Sequence, residues 1–179
     1  MTDSPNGSPN GSPKPVSYIK TPIAVHYDYS PGAGTSAFLR ALREGRIVGS
    51  RCPDTGKVYV PPRLFSVETA SPMSELVELP DRGIVYTYCI VNIKFYEQVL
   101  EVPYAYAHVL LDGSDLPIMH LIQECPVEEI RPGMRVEAVW KDRSEWSESL
   151  ENIRYFRPTG EADAPIGKIM DEIRKKSHA

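Results

Sequence analysis

Paired metal ligands, catalytic signatures and long apolar runs are scarce or missing in this chain, and each absence narrows its chemistry. There is no Gly-x-Ser-x-Gly elbow, P-loop, Rossmann fingerprint or His-Glu-x-x-His helix, so the common marks of hydrolases, nucleotide enzymes and zinc proteases are lacking. Cysteine occurs only at positions 52, 89 and 125, an odd and widely spaced set that reads as reduced thiols rather than a disulfide framework. No stretch approaches the roughly 18 apolar residues of a membrane span, and the N-terminus lacks the charged-then-apolar layout of a signal peptide; a cytoplasmic location is expected. A basic excess is absent too. Twenty Lys and Arg against 24 Asp and Glu leave a net charge of −4, which argues against a dedicated nucleic-acid binder.

What is present fits one main core in 179 residues. Residues 1–20 repeat Ser-Pro-Asn-Gly, a composition too poor in apolar groups to offset the entropy of ordering, and are expected to form a disordered leader. A helical segment over 21–46 follows, with Thr35 or Ser36 as N-cap, Phe38, Ala41 and Leu42 on one side and Gly45 as the stop. Residues 47–71 form a ribbon-like segment in which Val58-Tyr59-Val60 is a short strand ended by Pro61-Pro62.

From 72 to 158 the pattern is β. Val85, Thr87, Cys89, Val91, Ile93 and Phe95 alternate with Tyr86, Tyr88, Ile90, Asn92 and Lys94, predicting one long strand with an apolar face. Tyr104, Tyr106, His108 and Leu110 oppose Ala105, Ala107, Val109 and Leu111 in a second, and Asp112-Gly113 turns into a third over 116–123. After Arg131-Pro132-Gly133, Met134, Val136, Ala138 and Trp140 mark a fourth, and Ile153 and Tyr155 a last one. The fold class is therefore mainly β: a five- to six-stranded antiparallel barrel of the OB type. In the 159–179 tail, Ile166, Ile169, Met170 and Ile173 predict a short amphipathic helix, docked on its own barrel or on a partner.

The ribbon-like segment has the layout of a zinc knuckle with most ligands gone. Two C-x-x-C pairs let four thiolates reach one tetrahedral ion from tight turns. The four slots here hold Cys52, Thr55, Ser66 and Thr69, and neutral hydroxyls are poor zinc ligands. This pattern predicts metalloprotein ancestry with zinc absent and no tightly bound cofactor. Packing of Val58, Val60, Leu64 and Phe65 is expected to hold the hairpin in place of the metal.

Read in order, Leu42-Arg43-Glu44-Gly45-Arg46, Arg51-Cys52, Gly56, Pro61-Pro62-Arg63, residues 83–88, Pro103-Tyr104, residues 109–113 and residues 132–136 resemble the domain-of-unknown-function 35 family. The resemblance spans roughly residues 34–157 and implies an N-terminal helix, a rubredoxin-like zinc ribbon and a C-terminal OB-fold. It further implies a non-catalytic accessory subunit that binds a thiolase-superfamily, lipid-transfer-protein-like enzyme and helps hold or channel its acyl-CoA substrate. Settings of that kind include steroid side-chain aldolases and the formation of acetoacetyl-CoA and hydroxymethylglutaryl-CoA. The second, third and fourth zinc positions depart from the family pattern.

Two sets of residues are candidates for such roles. Arg51, Lys57 and Arg63 flank the ribbon turn and offer donors for a CoA phosphate, the alternative being solvated loop charges. Tyr86, Tyr88, Tyr104 and Tyr106 share strand parity and are expected to line one sheet face, serving barrel packing, a protein partner or base stacking. Of four histidines, His108 can pair with Asp112 or Cys125 as a base, the alternative being a structural strand residue. Two rival functions stay open: a single-stranded nucleic-acid-binding OB-fold and a stand-alone acyl-CoA hydrolase or dehydratase.

Overall fold

The computed structural model describes Ser17, Thr21, residues 23–95 and residues 97–176. The chain divides into two units, Met1–Ser30 and Pro31–Ala179. Within the first, the described residues form no helix or strand, and the leader expected over 1–20 lies almost wholly outside them.

The second unit opens with helix α1, Gly32–Arg43, whose buried Phe38, Ala41 and Leu42 form its inner face. The helix starts earlier than the hydroxyl caps suggested: Pro31 occupies the N-cap position with its ring-fixed φ, and Thr35 and Ser36 fall inside the helix. Gly45 ends it as expected, at a φ of +76° that a side chain rarely adopts.

Three strands, β1 (Ile47–Arg51), β2 (Val58–Tyr59) and β3 (Glu75–Leu79), make a small antiparallel sheet in the order β2-β1-β3. Strand β3 lies past residue 71, where the ribbon was expected to stop, yet it pairs along the whole of β1. The two buried faces of β1 explain why Ile-Val-Gly-Ser is so poor in charge: Ile47, Val48, Gly49 and Ser50 are all buried.

The remaining strands, β4 (Arg82–Val91), β5 (Tyr104–Leu111), β6 (Ile118–Ile122), β7 (Arg135–Trp140) and β8 (Ile153–Pro158), close a barrel in the order β4-β5-β6-β8-β7. Four of its junctions are antiparallel, but β6 meets β8 in parallel at Ile122 and Phe156, a junction the antiparallel expectation did not include. Ala105, Ala107, Val109 and Leu111 point inward beside Val85, Val136, Ile153 and Phe156. Gly83 is required where β4 crosses β5, since a Cβ there would stand 2.2 Å from the Leu110 carbonyl oxygen.

One long alternation is broken. Val85 pairs with Val109 and Thr87 with His108, leaving Tyr86 as an extra residue in a β-bulge. A one-residue insertion swaps the faces beyond it. Tyr88, opposite Ala107, therefore packs against the core, whereas Thr87 and Cys89 are exposed. The apolar face read for β4 holds at Val85 and fails after it.

Helix α2, Ile166–Lys176, lies against its own barrel, with Ile169 and Ile173 facing Leu110 and Leu111 across a shallow cleft. Asp115 ties the parts together. Its backbone N–H donates to the Val58 carbonyl and its Oδ2 accepts from the Val58 N–H, both at 2.8 Å, while its Oδ1 receives Lys176 Nζ at 2.7 Å.

Candidate functional site

The four vestigial ligand positions converge. Cys52 directly follows β1 and is fully buried; its N–H donates to the Lys57 carbonyl, and the Gly56 N–H donates back to the Cys52 carbonyl, closing the first knuckle. The second knuckle turns on Ser66, whose hydroxyl oxygen accepts from the N–H groups of Glu68 and Thr69 at 3.3 and 3.2 Å. Thr69 Oγ1 lies 3.8 Å from Cys52 Sγ.

The cage has an electrostatic consequence. Burial pushes the Cys52 thiol up, but the Thr55 and Ser66 hydroxyls and the backbone N–H groups of Thr55 and Asp54 outweigh it, bringing the thiol down to about 7. Donors gathered round one sulfur thus do part of the work of a cation. One thiol and three hydroxyls are a poor donor set for zinc, and the described residues hold no group of three of His, Cys, Asp and Glu that could hold a metal ion.

The packing expected to replace the metal is only half right. Val58 and Val60 are buried, but Leu64 and Phe65 are 52% and 58% exposed, and with Val67 at 65% they form an apolar tip on the ribbon. The apolar support comes instead from Tyr59, Met73 and the half-buried Leu116, which surround Cys52.

The three cations also separate. Lys57 is only 4% exposed and forms an ion pair with Glu68, so it does not join a surface anion site as expected. The reason is the pairing with Glu68 on the second knuckle, which neutralises the ammonium where it is buried. Arg51 is partly exposed and held by Glu75 at 3.0 Å and the Gly56 carbonyl at 3.3 Å. Arg63 is exposed and makes no ion pair with a described residue; its backbone is clamped by Ser50, whose hydroxyl accepts from the Arg63 N–H and donates to its carbonyl.

The four tyrosines do not share a face. Tyr104 and Tyr106 meet edge to face on the outside of β5, ring centroids 5.7 Å apart, a contact worth about 1 kcal/mol. Tyr88 packs inward and Tyr86 sits in the bulge beside Leu110 and Leu116. Exposed Met119, on β6 opposite His108, extends the patch at Tyr104 and Tyr106.

No base and nucleophile assemble around His108. It is exposed between Thr87 and Met119, Asp112 is held by Arg135 through two 2.7 Å contacts, and burial pushes the Cys125 thiol up. The buried histidine is His120, which meets Phe156 edge to face and accepts from the Leu121 N–H; burial lowers its affinity for a proton. It is a core residue. Sequence reasoning passed over Asp115, because an aspartate after Gly-Ser reads as a turn residue and nothing local marks it as a clamp.

Comparison with known proteins agrees with this architecture. Residues 40–65 match the family described as ChsH2, rubredoxin-like zinc ribbon domain, and residues 76–141 match that described as ChsH2, C-terminal OB-fold domain. The chain is similar to a DUF35 domain-containing scaffold protein of Methanocaldococcus jannaschii, with 31% identity over 96 residues, 53% of this chain and 67% of that protein. Among solved structures it resembles an Ltp2-ChsH2(DUF35) aldolase, with a TM-score of 0.55 at 22% identity over 73% of this chain and 98% of that one. It also resembles a DUF35-family protein of unknown function from Sulfolobus solfataricus, with a TM-score of 0.50 at 17% identity over 68% and 81%. At these identities the two likenesses concern the fold.

Proposed function

This chain belongs to the DUF35 family, and on that premise we propose that it is a non-catalytic accessory subunit docking on a thiolase-like enzyme that acts on CoA thioesters. The observation that carries the reading is the ribbon tip. Leu64, Phe65 and Val67 are more than half exposed on a hairpin whose backbone is fixed from below by Ser50, Ser66 and the Cys52 cage. Exposed apolar side chains on a fixed frame lose little further freedom on association, which favours binding. The names of relatives point the same way, one a scaffold protein and one part of a two-protein aldolase.

In this reading the partner supplies nucleophile and base, since His108, Asp112 and Cys125 form no such set here. The Tyr104–Tyr106 patch extends the contact surface along the barrel. Arg63, exposed beside the tip, offers a guanidinium to a CoA phosphate at the edge of that contact, with Arg51 behind it. The acyl group would be that of the partner's substrate, in a carbon–carbon bond reaction such as side-chain cleavage by an aldolase.

Co-expression with a thiolase-like enzyme from the same source, followed by size exclusion, tests the assembly. Co-elution is expected, with loss of it in Leu64→Glu/Phe65→Glu while circular dichroism stays native. Separate elution of the two unaltered proteins would sink the proposal. In the complex, Arg63→Ala should weaken acyl-CoA binding about tenfold, the loss of one charge-assisted contact; unchanged affinity removes the CoA role from Arg63.

A further inference from the structure

Across β5, β6 and the start of β8, bounded by the loop before β5 and the loop before β8, runs an open cavity of about 700 Å³. That is the size of a small-molecule site, roughly 300–1,000 Å³. Its lining is largely apolar, with Leu100, Met119, Leu121, Leu150 and Ile153 beside the ring of Tyr106. Strand β6 contributes through its alternation: Met119 and Leu121 take the face opposite to the buried Ile118, His120 and Ile122.

Charge says what would fill it. Lys141, Glu151 and Arg154 are the charged residues of the lining. Lys141 and Glu151 stand 3.7 Å apart and offset one another, whereas Arg154 is exposed and makes no ion pair with a described residue. His120 adds no charge, since burial disfavours its proton and its ring is engaged by the backbone of Leu121, Leu150 and Ile153. One unbalanced guanidinium therefore stands beside an aliphatic surface. A molecule with an apolar body and a single carboxylate satisfies both, because the body leaves water and the guanidinium takes the carboxylate in its two-pronged fork. Other elongated ligands fit less well. An oligonucleotide needs a track of cations for its phosphates, and an oligosaccharide would set its hydroxyls against aliphatic side chains.

We propose that this cavity binds a small apolar monocarboxylate, its carboxylate on Arg154 and its body against Leu121, Leu150 and Ile153. At ~30 Å³ per water-sized group the volume holds about 23 heavy atoms, so a chain of about ten carbons enters with room to spare. Tyr106 and Met119 at the rim also belong to the barrel patch offered to the partner enzyme. The site itself needs no partner and is tested on the chain alone, so its failure and the failure of the assembly are separate results.

The test is a titration of the full chain by amide NMR shifts, with decanoate as the probe, decyltrimethylammonium as its charge-inverted counterpart and acetate as the head group alone. Saturable shifts at Leu121, Leu150 and Arg154 are expected for decanoate below its micelle concentration, with the other two compounds at least tenfold weaker. Arg154→Gln removes the charge from an exposed position and should weaken decanoate about tenfold. Leu121→Gln, which keeps the charge and makes the wall polar, should weaken it about fivefold and carries the test if the first variant unfolds. No saturable shift, equal binding of decyltrimethylammonium or acetate, or undiminished binding in either folded variant would each overturn the proposal. So would a short oligothymidylate that displaces decanoate at physiological salt, which would make the groove a nucleic-acid site.

Discussion

Cys52 makes the stability of the ribbon depend on pH, and the dependence has a definite sign. The thiol lies at about 7 in the fold against an ordinary value of 9.0. A group whose pKa is depressed by folding binds its proton more weakly in the native state, so between the two values the unfolded chain carries more protons and stability rises with pH. The contribution is complete above about pH 9 and is lost as pH falls through about 7. A gap of that width corresponds to about 2–3 kcal/mol, an upper figure for a thiol this buried. Cys52→Ser removes the titrating group and leaves Cys89 and Cys125 in place, so the difference between the two proteins isolates it. Urea unfolding at several pH values between 6 and 9.5 should show the unaltered protein gaining on Cys52→Ser as pH rises, with the thiolate absorbance of Cys52 growing near pH 7. A difference that stays flat, or shrinks with rising pH, would refute the cage as described.

The same convergence predicts that the metal site is recoverable: Thr55→Cys, Ser66→Cys and Thr69→Cys together should bind one zinc per chain, with cobalt giving the spectrum of tetrahedral thiolate ligation. The unaltered protein should show no stoichiometric zinc on elemental analysis, and one zinc per chain would contradict the donor argument. Asn152 joins α1 to the barrel, its Nδ2 donating to the Leu42 and Ser147 carbonyls at 3.1 and 2.7 Å and its Oδ1 accepting from the Ser147 N–H. Asn152→Ala strands those buried groups and should destabilise the protein by about 2–3 kcal/mol in chemical denaturation.

Legibility from sequence followed the range of the interaction. Helix α1, the alternation of β5 and the five barrel strands are local patterns, and period two separates Ala105, Ala107, Val109 and Leu111 from the tyrosine face of β5 without saying which of the two turns inward. The cage positions were legible because knuckle spacing is local as well. Tyr88 was not, since a bulge at Tyr86 leaves no mark in the residues beside it and flips everything after it. Lys57 was missed for a different reason: its burial depends on Glu68, on the opposite limb of the hairpin, and a lysine beside glycine reads as exposed. Leu64 and Phe65 were placed inside because apolar residues usually are, whereas the fold leaves both more than half exposed.

The three-way grip of Asp115 has a consequence for how the molecule opens. Val58 is held at both its N–H and its carbonyl by one residue of the barrel loop, and the same carboxylate is held by the last turn of α2. Hydrogen exchange at Val58 therefore cannot proceed by fraying of the hairpin alone; the loop after β5 must release it. Ribbon, loop and tail then behave as one foldon, and pressure applied at the exposed tip by anything that binds there is transmitted to a helix at the other end of the sequence.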